Sequence, residues 1–371
     1  MDAFTGTEPE WIYRLFFAME AQEETYWCWA ATAVSTARFL LGDSRSQCAV
    51  ANEVLTRDDC CAEGNSVACN VTSSLPPALQ AVRTFVRMVP RRLSHAELTN
   101  ELASGRPVAS RIEWPDGGGH FVILGGIATD HRLEVADPAY GSAVEPYASF
   151  ASDYLQLGGR WTHSYLLVDP RAADRIDPAL RKVASLLMLP TLQLPFPRSL
   201  GSATVGSVDV PVYSARVDEL AADGQLAPQL VGRESFPDDA TDVVRAYPEG
   251  GQAPSLRIPL YAESLQRVVS DLRNSGRRLP ELRLFKVPSL YITAVWVHSA
   301  SEDLFFPLDP APRYLQAGRE YELRQFEFIL RDHASSRMRD IERERTMTYG
   351  FSERENRDDG RDRRDPDDRD R

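Results

Sequence analysis

The sequence predicts an α+β fold made of two domains and a disordered tail. Its 371 residues suit two domains of roughly 100 to 200 residues each. The hydrophobic share of 43% is typical of a globular protein. In residues 1–170 helical patterns come first and strand patterns follow, an order that favours an α+β domain with its helices on one side. Residues 178–345 are predicted to form a second α+β domain.

The helical half of the first domain is predicted from apolar patterns and helix caps. Cys28 to Leu41 is rich in alanine and apolar nearly all round, so this helix should be buried, and Gly42 suits the left-handed residue that ends a helix. Serine caps predict three further helices: Ser46 for a helix through Leu55, Ser73 or Ser74 for one to about Val86, and Ser94 with Glu97 for His95 to Ala103, before Gly105.

The other half of this domain is predicted to be an antiparallel sheet. After Arg106, short apolar or β-branched runs alternate with Gly, Pro and Asp turn signals. The predicted strands are Pro107 to Trp114, His120 to Ile127, Leu133 to Ala136 and Trp161 to Val168. The segment from Pro170 to Asp177 is polar and charged, so we place the domain boundary there.

The second domain alternates strand-like with helical segments. Its predicted strands are Val208 to Ala215, Leu256 to Tyr261, Leu282 to Lys286 and Ser289 to His298, and its predicted helices are Ala262 to Asn274 and Tyr321 to Arg345. Its separate existence suggests that residues 178–345 bind a substrate or a protein partner. Residues 352–371 contain seven Arg, nine acidic residues and hardly any apolar side chain, so they should be disordered.

The charge and hydropathy of the chain argue against several classes of partner. With 42 basic and 54 acidic residues the net charge is −12, which repels nucleic acids and anionic membranes. The longest apolar stretches are far shorter than the roughly 20 residues that cross a bilayer, so no membrane span is expected. The N-terminus lacks the basic and apolar segments of a signal peptide. We therefore expect a cytoplasmic protein as synthesised, with any export by a non-classical route.

The five cysteines all lie between positions 28 and 69, with Cys28 set apart from the other four. Cys60 and Cys61 are adjacent and therefore poor joint ligands of one metal ion, so no metal site is expected. A disulfide between such neighbours would be strained. The four thiols can stay reduced, or they can pair as Cys48 with Cys60 and Cys61 with Cys69, or as Cys48 with Cys61 and Cys60 with Cys69. The sequence alone does not choose between these pairings.

The most informative segment surrounds Cys28, at the start of the helix predicted to be buried. A helix N-terminus has free N–H groups and a partial positive charge, which stabilise a thiolate, the nucleophilic form of cysteine. Gln22 lies six residues earlier. Its amide and the Cys28 N–H group are candidate donors to the oxyanion that forms when a thiolate attacks a carbonyl. Trp27 precedes the cysteine and is a candidate for contact with a substrate.

His120 is the candidate base for this thiol, because it begins a strand directly after three glycines. Gly118 and Gly119 allow a close backbone approach and are candidate substrate-binding residues. Asp137 ends the next predicted strand, and a tight hairpin would set the two strands side by side. Asp137 would then accept a hydrogen bond from one ring nitrogen of His120 while the other nitrogen faces Cys28.

Residues 20 to 168 resemble the papain-like cysteine peptidases, and within them the bacterial branch of AvrRpt2-type effector proteases and C39-like peptidases. The matching segments are Gln22 with Cys28-Trp-Ala-Ala, Ser46-Gln-Cys48 with Cys60-Cys61, Gly105-Arg-Pro-Val, Gly119-His120-Phe-Val-Ile, and Val135-Ala-Asp137-Pro with Gly141. The resemblance implies that Cys28 is the nucleophile and Gln22 the oxyanion donor. It also implies that His120 is the general base and acid, oriented by Asp137.

The predicted function is therefore a cysteine peptidase that hydrolyses peptide bonds through a thioester, without a cofactor. By resemblance its substrate is a protein or peptide and its setting that of a bacterial effector or toxin. The same chemistry also serves deamidases and transglutaminases, which form the acyl-enzyme on a glutamine side chain. A third reading is a partner-binding protein, docked through residues 178–345, in which the hydrolase domain is incidental.

Overall fold

The computed structural model describes residues 9–168, 192–193, 207–223, 226–237, 244–249, 254–275 and 281–359. Within these ranges the protein is a mixed α/β structure with eight α-helices, a large mixed sheet and a two-stranded pairing. None of the helices in these ranges is long and apolar enough to cross a membrane.

The helical half contains four α-helices, which are α1 (Cys28–Leu41), α2 (Gln47–Leu55), α3 (Leu75–Ala81) and α4 (His95–Ala103). Helix α1 is confirmed at both ends, and every side chain in it except that of Phe39 is buried. Gly42 ends α1 in the left-handed conformation, with φ of 65°. The caps of α2 and α4 are also confirmed, since Ser46 accepts from the Ala49 N–H group and Ser94 forms a complete capping box with Glu97.

The prediction that α3 reaches Val86 is wrong, because a strand begins there instead. Helix α3 ends at Ala81, and Arg83 adopts a positive φ of 61° that turns the chain. Phe85 then starts a strand that pairs with Leu167. The backbone of this segment is therefore hydrogen-bonded to the sheet rather than within a helix.

Eight strands and one short helix complete the N-terminal half. They are β1 (Trp11–Arg14), β2 (Met19–Glu20), β3 (Phe85–Val89), β4 (Val108–Glu113), β5 (Gly119–Ala128), β6 (Arg132–Asp137), β7 (Gly141–Pro146), α5 (Tyr147–Ser152) and β8 (Arg160–Leu167). Six of these strands lie in the order β3-β8-β4-β5-β6-β7 and pair antiparallel, and β1 pairs with β5. Strand β2 lies outside this sheet. The predicted antiparallel hairpin is confirmed, since Ile123 on β5 pairs with Ala136 on β6.

The C-terminal half adds further strands and three helices. They are β9 (Leu192–Gln193), β10 (Ser207–Ser214), α6 (Val217–Asp223), β11 (Gln229–Pro237), β12 (Val244–Pro248), β13 (Ser255–Ile258), α7 (Ala262–Asn274), β14 (Glu281–Val287), β15 (Ile292–His298), β16 (Asp303–Pro307), β17 (Tyr321–Glu322) and α8 (Leu323–Asp359). A 3₁₀ helix, Pro288–Leu290, separates β14 from β15. The strand predicted from Ser289 therefore begins only at Ile292.

Helix α8 continues into the segment that was predicted to be disordered. Its first half is packed, with Phe326, Leu330 and Ala334 fully buried. The helix then runs on to Asp359 and so overlaps residues 352–359 of the predicted tail. Residues 360–371 lie outside the described part of the chain.

One sheet joins the two halves of the protein. Strand β13 pairs antiparallel with β7, with Leu256 opposite Val144. A Cβ atom on Gly141, which has φ of +93°, would clash with the Ile258 carbonyl oxygen, so only glycine permits this approach. The predicted boundary at residues 170–177 falls outside the described residues.

Candidate active site

Cys28 is the first residue of α1 and a free cysteine, with 4% of its surface exposed. The N-terminal N–H groups of a helix have no acceptor within the helix. No side chain caps this end, because the N-cap residue is Trp27. The positive end of the helix is thus available to the sulfur of Cys28 and to any anion that forms beside it.

His120 and Asp137 form a buried hydrogen-bonded pair across the β5–β6 hairpin. His120 Nε2 lies 2.9 Å from Asp137 Oδ1. The same oxygen accepts the N–H groups of Ala139 and Tyr140, at 2.7 and 2.9 Å. The other oxygen accepts the Tyr154 hydroxyl at 2.8 Å. The carboxylate is therefore fixed by the turn after β6, and it fixes the imidazole in turn.

The electrostatics of the pair favour a protonated imidazole. Burial alone would lower the pKa of His120, but the charge and hydrogen bond of Asp137, and then the interaction with Cys28, raise it to about 10. A charged histidine beside a cysteine stabilises the thiolate. The arrangement is thus suited to a thiolate–imidazolium pair.

Tyr291, which carries no sequence motif, places its hydroxyl against both the thiol and the imidazole. Its hydroxyl donates to Cys28 Sγ at 3.5 Å and lies 3.3 Å from His120 Nδ1. Its ring stacks on Tyr140 and meets the imidazole edge-on. Burial raises the pKa of Tyr291 well above its ordinary value, so the hydroxyl keeps its proton. The second ring nitrogen of His120 therefore faces Cys28 with this hydroxyl beside both groups.

Other residues of the C-terminal half lie over the glycines that precede His120. Ser289 donates to Asp116 at 2.6 Å, and a Cβ atom on Gly118 would lie only 2.7 Å from the Ser289 hydroxyl. The N–H group of Gly119 donates to Glu344 at 3.1 Å. Both glycines predicted to bind substrate are therefore covered by residues of the same chain.

Arg337 links the residues that cover the glycines, Ser289 and Glu344, to the site. Its Nε donates to the Ser289 carbonyl oxygen at 2.9 Å, and its guanidinium pairs with Glu344. The same guanidinium lies over the Tyr26 ring, 5.1 Å from the centroid. The contacts tie α8 to the 3₁₀ helix and to the segment just before Cys28.

Little open space remains beside the thiol. The cavity that contains Cys28 measures about 10 Å³, about the room of one water molecule. It is lined by Tyr26, Cys28, Trp29, Thr72, Ser73, Ser74, Arg111, Gly119, Phe121 and Glu344. A larger cavity of about 130 Å³ lies on another side of Tyr291, next to Gln22 and Tyr140.

Two of the predicted site residues are engaged elsewhere. The Gln22 amide donates to the carbonyl oxygens of Glu24 and Thr25, at 3.2 and 2.5 Å, and not to the space beside Cys28. Trp27 is buried in the hydrophobic core, and its indole donates to the Cys69 carbonyl oxygen at 2.8 Å. The cavity around Cys28 does not include Trp27. Its position is that of a core residue rather than of a substrate contact.

The four other cysteines form two disulfides beside α1. Cys48 pairs with Cys61 and Cys60 with Cys69. This is one of the two pairings that the sequence left open. Cys60 and Cys69 are fully buried in the same hydrophobic core as Cys28, so their bond supports the helix that carries the thiol.

Comparison with known proteins agrees with this geometry. Residues 13–154 match a family model described as papain-like cysteine protease AvrRpt2. The resemblance seen in the motifs is therefore confirmed for this region, which contains Cys28, His120 and Asp137. No curated protein matches the chain.

Proposed function

We propose that this chain hydrolyses peptide bonds in proteins, because residues 13–154 match the model of a papain-like cysteine protease family, whose members are hydrolases. In this proposal Cys28 is the nucleophile and His120 the general base and acid. Asp137 orients the imidazole. The observation that carries the proposal is the thiol at a helix N-terminus beside a histidine that a buried carboxylate holds.

The reaction follows from these groups. The Cys28 thiolate attacks the carbonyl carbon of the substrate, and the C–N bond breaks as His120 gives its proton to the leaving amine. His120 then takes a proton from water, and the hydroxide attacks the thioester. The C–S bond then breaks, the acid product leaves, and the thiolate–imidazolium pair is restored. No cofactor takes part in this sequence.

The oxyanion needs hydrogen-bond donors while the tetrahedral intermediates exist. The N–H group of Cys28, at the open end of α1, is one proposed donor. The Gln22 amide is the second, and to reach the oxyanion it must leave the carbonyl oxygens of Glu24 and Thr25. Gln22→Ala should therefore lower kcat, since the donation occurs only in the transition state.

We also propose the setting of a bacterial effector or toxin that is secreted by a non-classical route. The two disulfides support an oxidising destination, since such bonds are rare in a reducing cytosol. In this setting residues 178–345 are the proposed region for contact with a protein partner.

The test compares new protein N-termini in a cell lysate after incubation with the wild-type chain or with Cys28→Ala. It is repeated in a Tyr291→Ala chain, because Tyr291 covers the thiol. New termini that depend on Cys28 are the expected result, and they also report the cleavage preference. If glutamine residues are converted to glutamate and no new termini appear, the proposed function would be that of a deamidase and not of a peptidase.

If the protein only binds a partner and performs no catalysis, its biological effect should not depend on Cys28. Cys28→Ala would then leave the biological effect intact while folding and binding are unchanged. Loss of the effect in a folded Cys28→Ala chain is what the peptidase proposal requires.

A further inference from the structure

The proposed catalytic residues are closed off from any substrate in this structure. Cys28 is 4% exposed, and His120 and Asp137 are 0% exposed. A peptide bond must bring its carbonyl carbon to within about 3 to 3.5 Å of the attacking sulfur. The roughly 10 Å³ of space beside Cys28 cannot hold even one peptide unit.

Tyr291 occupies the position that a substrate would need. Its hydroxyl oxygen lies 3.5 Å from Cys28 Sγ and 3.3 Å from His120 Nδ1. The carbonyl carbon under attack and the leaving-group nitrogen, which takes a proton from His120, must both use this space. Tyr291 and a bound peptide therefore exclude each other.

The turn that carries Tyr291 is held down by contacts on both sides of the cleft. The Tyr140 hydroxyl donates to the Pro288 carbonyl oxygen at 3.0 Å, and Ser289 donates to Asp116 at 2.6 Å. On the far side, Glu344 accepts the N–H group of Gly119. That N–H group belongs to the glycines at the rim of the site, where substrate backbone would bind.

The backbone conformation of Tyr291 and a cavity beside it allow its side chain to rotate away from the thiol. Tyr291 has φ of 55°, a left-handed conformation that is unfavourable for a residue other than glycine and must be held by its surroundings. The cavity of about 130 Å³ is lined by Tyr291 together with Gln22 and Tyr140. A rotation of the tyrosine into this space would uncover the thiol without unfolding the core.

We propose that residues 288–291, held by the Arg337–Glu344 pair, are an autoinhibitory lid, and that the chain in this conformation is a latent peptidase. The lid blocks the site with the Tyr291 side chain, and displacement of that side chain activates the enzyme. This inference rests on the proposed function, since a lid regulates only a site that has chemistry to perform.

The test measures the rate at which iodoacetamide alkylates Cys28 in the folded full-length chain, because this rate reports exposure and needs no substrate. Tyr291→Ala should raise the rate about tenfold or more, since buried thiols react only through opening of the structure. Tyr291→Phe keeps the blocking ring and should stay close to the wild type. Tyr247→Ala, which removes an exposed tyrosine on β12, is the control and should also leave the rate unchanged.

Peptide hydrolysis by the same four proteins separates the lid from the function. Fast alkylation of Tyr291→Ala together with new hydrolysis supports both. Fast alkylation of Tyr291→Ala without any hydrolysis would support the lid and contradict the proposed peptidase activity. A wild type that alkylates as fast as Tyr291→Ala overturns the lid, as does an active wild type that loses activity in both Tyr291 variants, since Tyr291 would then serve catalysis.

A second variant covers the case in which Tyr291→Ala fails to fold. Arg337→Met combined with Glu344→Gln removes the buried ion pair without leaving one charge alone. It should loosen the lid and raise the alkylation rate of Cys28 about threefold or more. An unchanged rate in this folded double variant would overturn the proposal.

Discussion

The hydroxyl of Tyr154 donates a hydrogen bond of 2.8 Å to Oδ2 of Asp137, on the carboxylate oxygen that does not face His120. Both residues are fully buried. Tyr154 lies in the segment after α5, outside the motifs that identified the site. The carboxylate proposed to orient His120 thus depends on a residue that no motif signalled.

We predict that Tyr154→Phe destabilises the fold and lowers activity. The change leaves a buried carboxylate oxygen without its donor, which costs about 1–3 kcal/mol. Urea denaturation should show this loss, and kcat/KM should fall about tenfold in the Tyr291→Ala background as His120 loses its orientation. Tyr147→Phe, which removes a hydroxyl bonded to the Leu93 carbonyl oxygen, is the control and should keep its activity. Equal activity in both variants would argue against the positioning role of Tyr154.

The raised pKa of His120 predicts how stability depends on pH. An unfolded histidine titrates near 6.5, whereas the pKa of His120 in the fold is raised to about 10. The contribution of its proton to the free energy of unfolding is therefore complete below about pH 6.5 and is lost as the pH rises through about 10. We expect denaturation experiments to give a steady loss of stability over this interval.

Asp137→Asn is the control for this effect, because it removes the charge that does most to raise the pKa of His120. Its stability should vary less between about pH 6.5 and 10. In NMR titrations the ring signal of His120 should have a midpoint near 10 in the wild type and a lower one in the variant. A wild-type midpoint near 6.5 would contradict the ion pair between His120 and Asp137.

The two disulfides should differ in their effect on the site. Removing either bond should lower the free energy of unfolding by about 2–4 kcal/mol. The Cys60–Cys69 bond also holds the carbonyl oxygen that accepts from Trp27, one residue before Cys28. Cys60→Ser with Cys69→Ser should therefore reduce activity more than Cys48→Ser with Cys61→Ser. Non-reducing peptide mapping checks the pairing. Equal activity of the two double variants would show that the Cys60–Cys69 bond has no special effect on the site.

Arg257 is predicted to be the residue whose loss most weakens the join between the two halves. It is buried and pairs with Glu145 on β7 and with Glu234 on β11. Arg257→Met leaves these charges less compensated and should cost about 3–5 kcal/mol. The exposed Arg267, paired with Asp309, is the control, and Arg267→Met should cost less than about 1 kcal/mol. Chemical denaturation of both variants makes the comparison.

The core of the candidate site could be predicted because its signals are local in the sequence. Cys28 begins a helix whose apolar residues and final glycine are visible in one segment. His120 and Asp137 end up adjacent because a short hairpin fixes the register of two neighbouring strands. Such arrangements need only secondary structure and one turn, and these the sequence encodes directly.

The cover over the site could not be predicted in this way. Tyr291 reaches Cys28 from 263 positions away in the chain, and its neighbours Pro288 to Leu290 carry no catalytic motif. Its place depends on how two large parts of the sheet pack together. The direction of the Gln22 amide was missed for a similar reason, since it depends on which carbonyl oxygens the loop brings near.

The pairing of β13 with β7 gives the lid a property that a separate inhibitor lacks. The lid is joined to the half that carries Cys28 through a shared sheet, so it remains beside the site even when the Tyr291 side chain rotates away. A tethered group of this kind acts at an effective concentration on the order of millimolar or higher. Closure of the lid is therefore intramolecular, and its equilibrium does not depend on the protein concentration. A substrate must compete with a blocking group that stays attached to the enzyme.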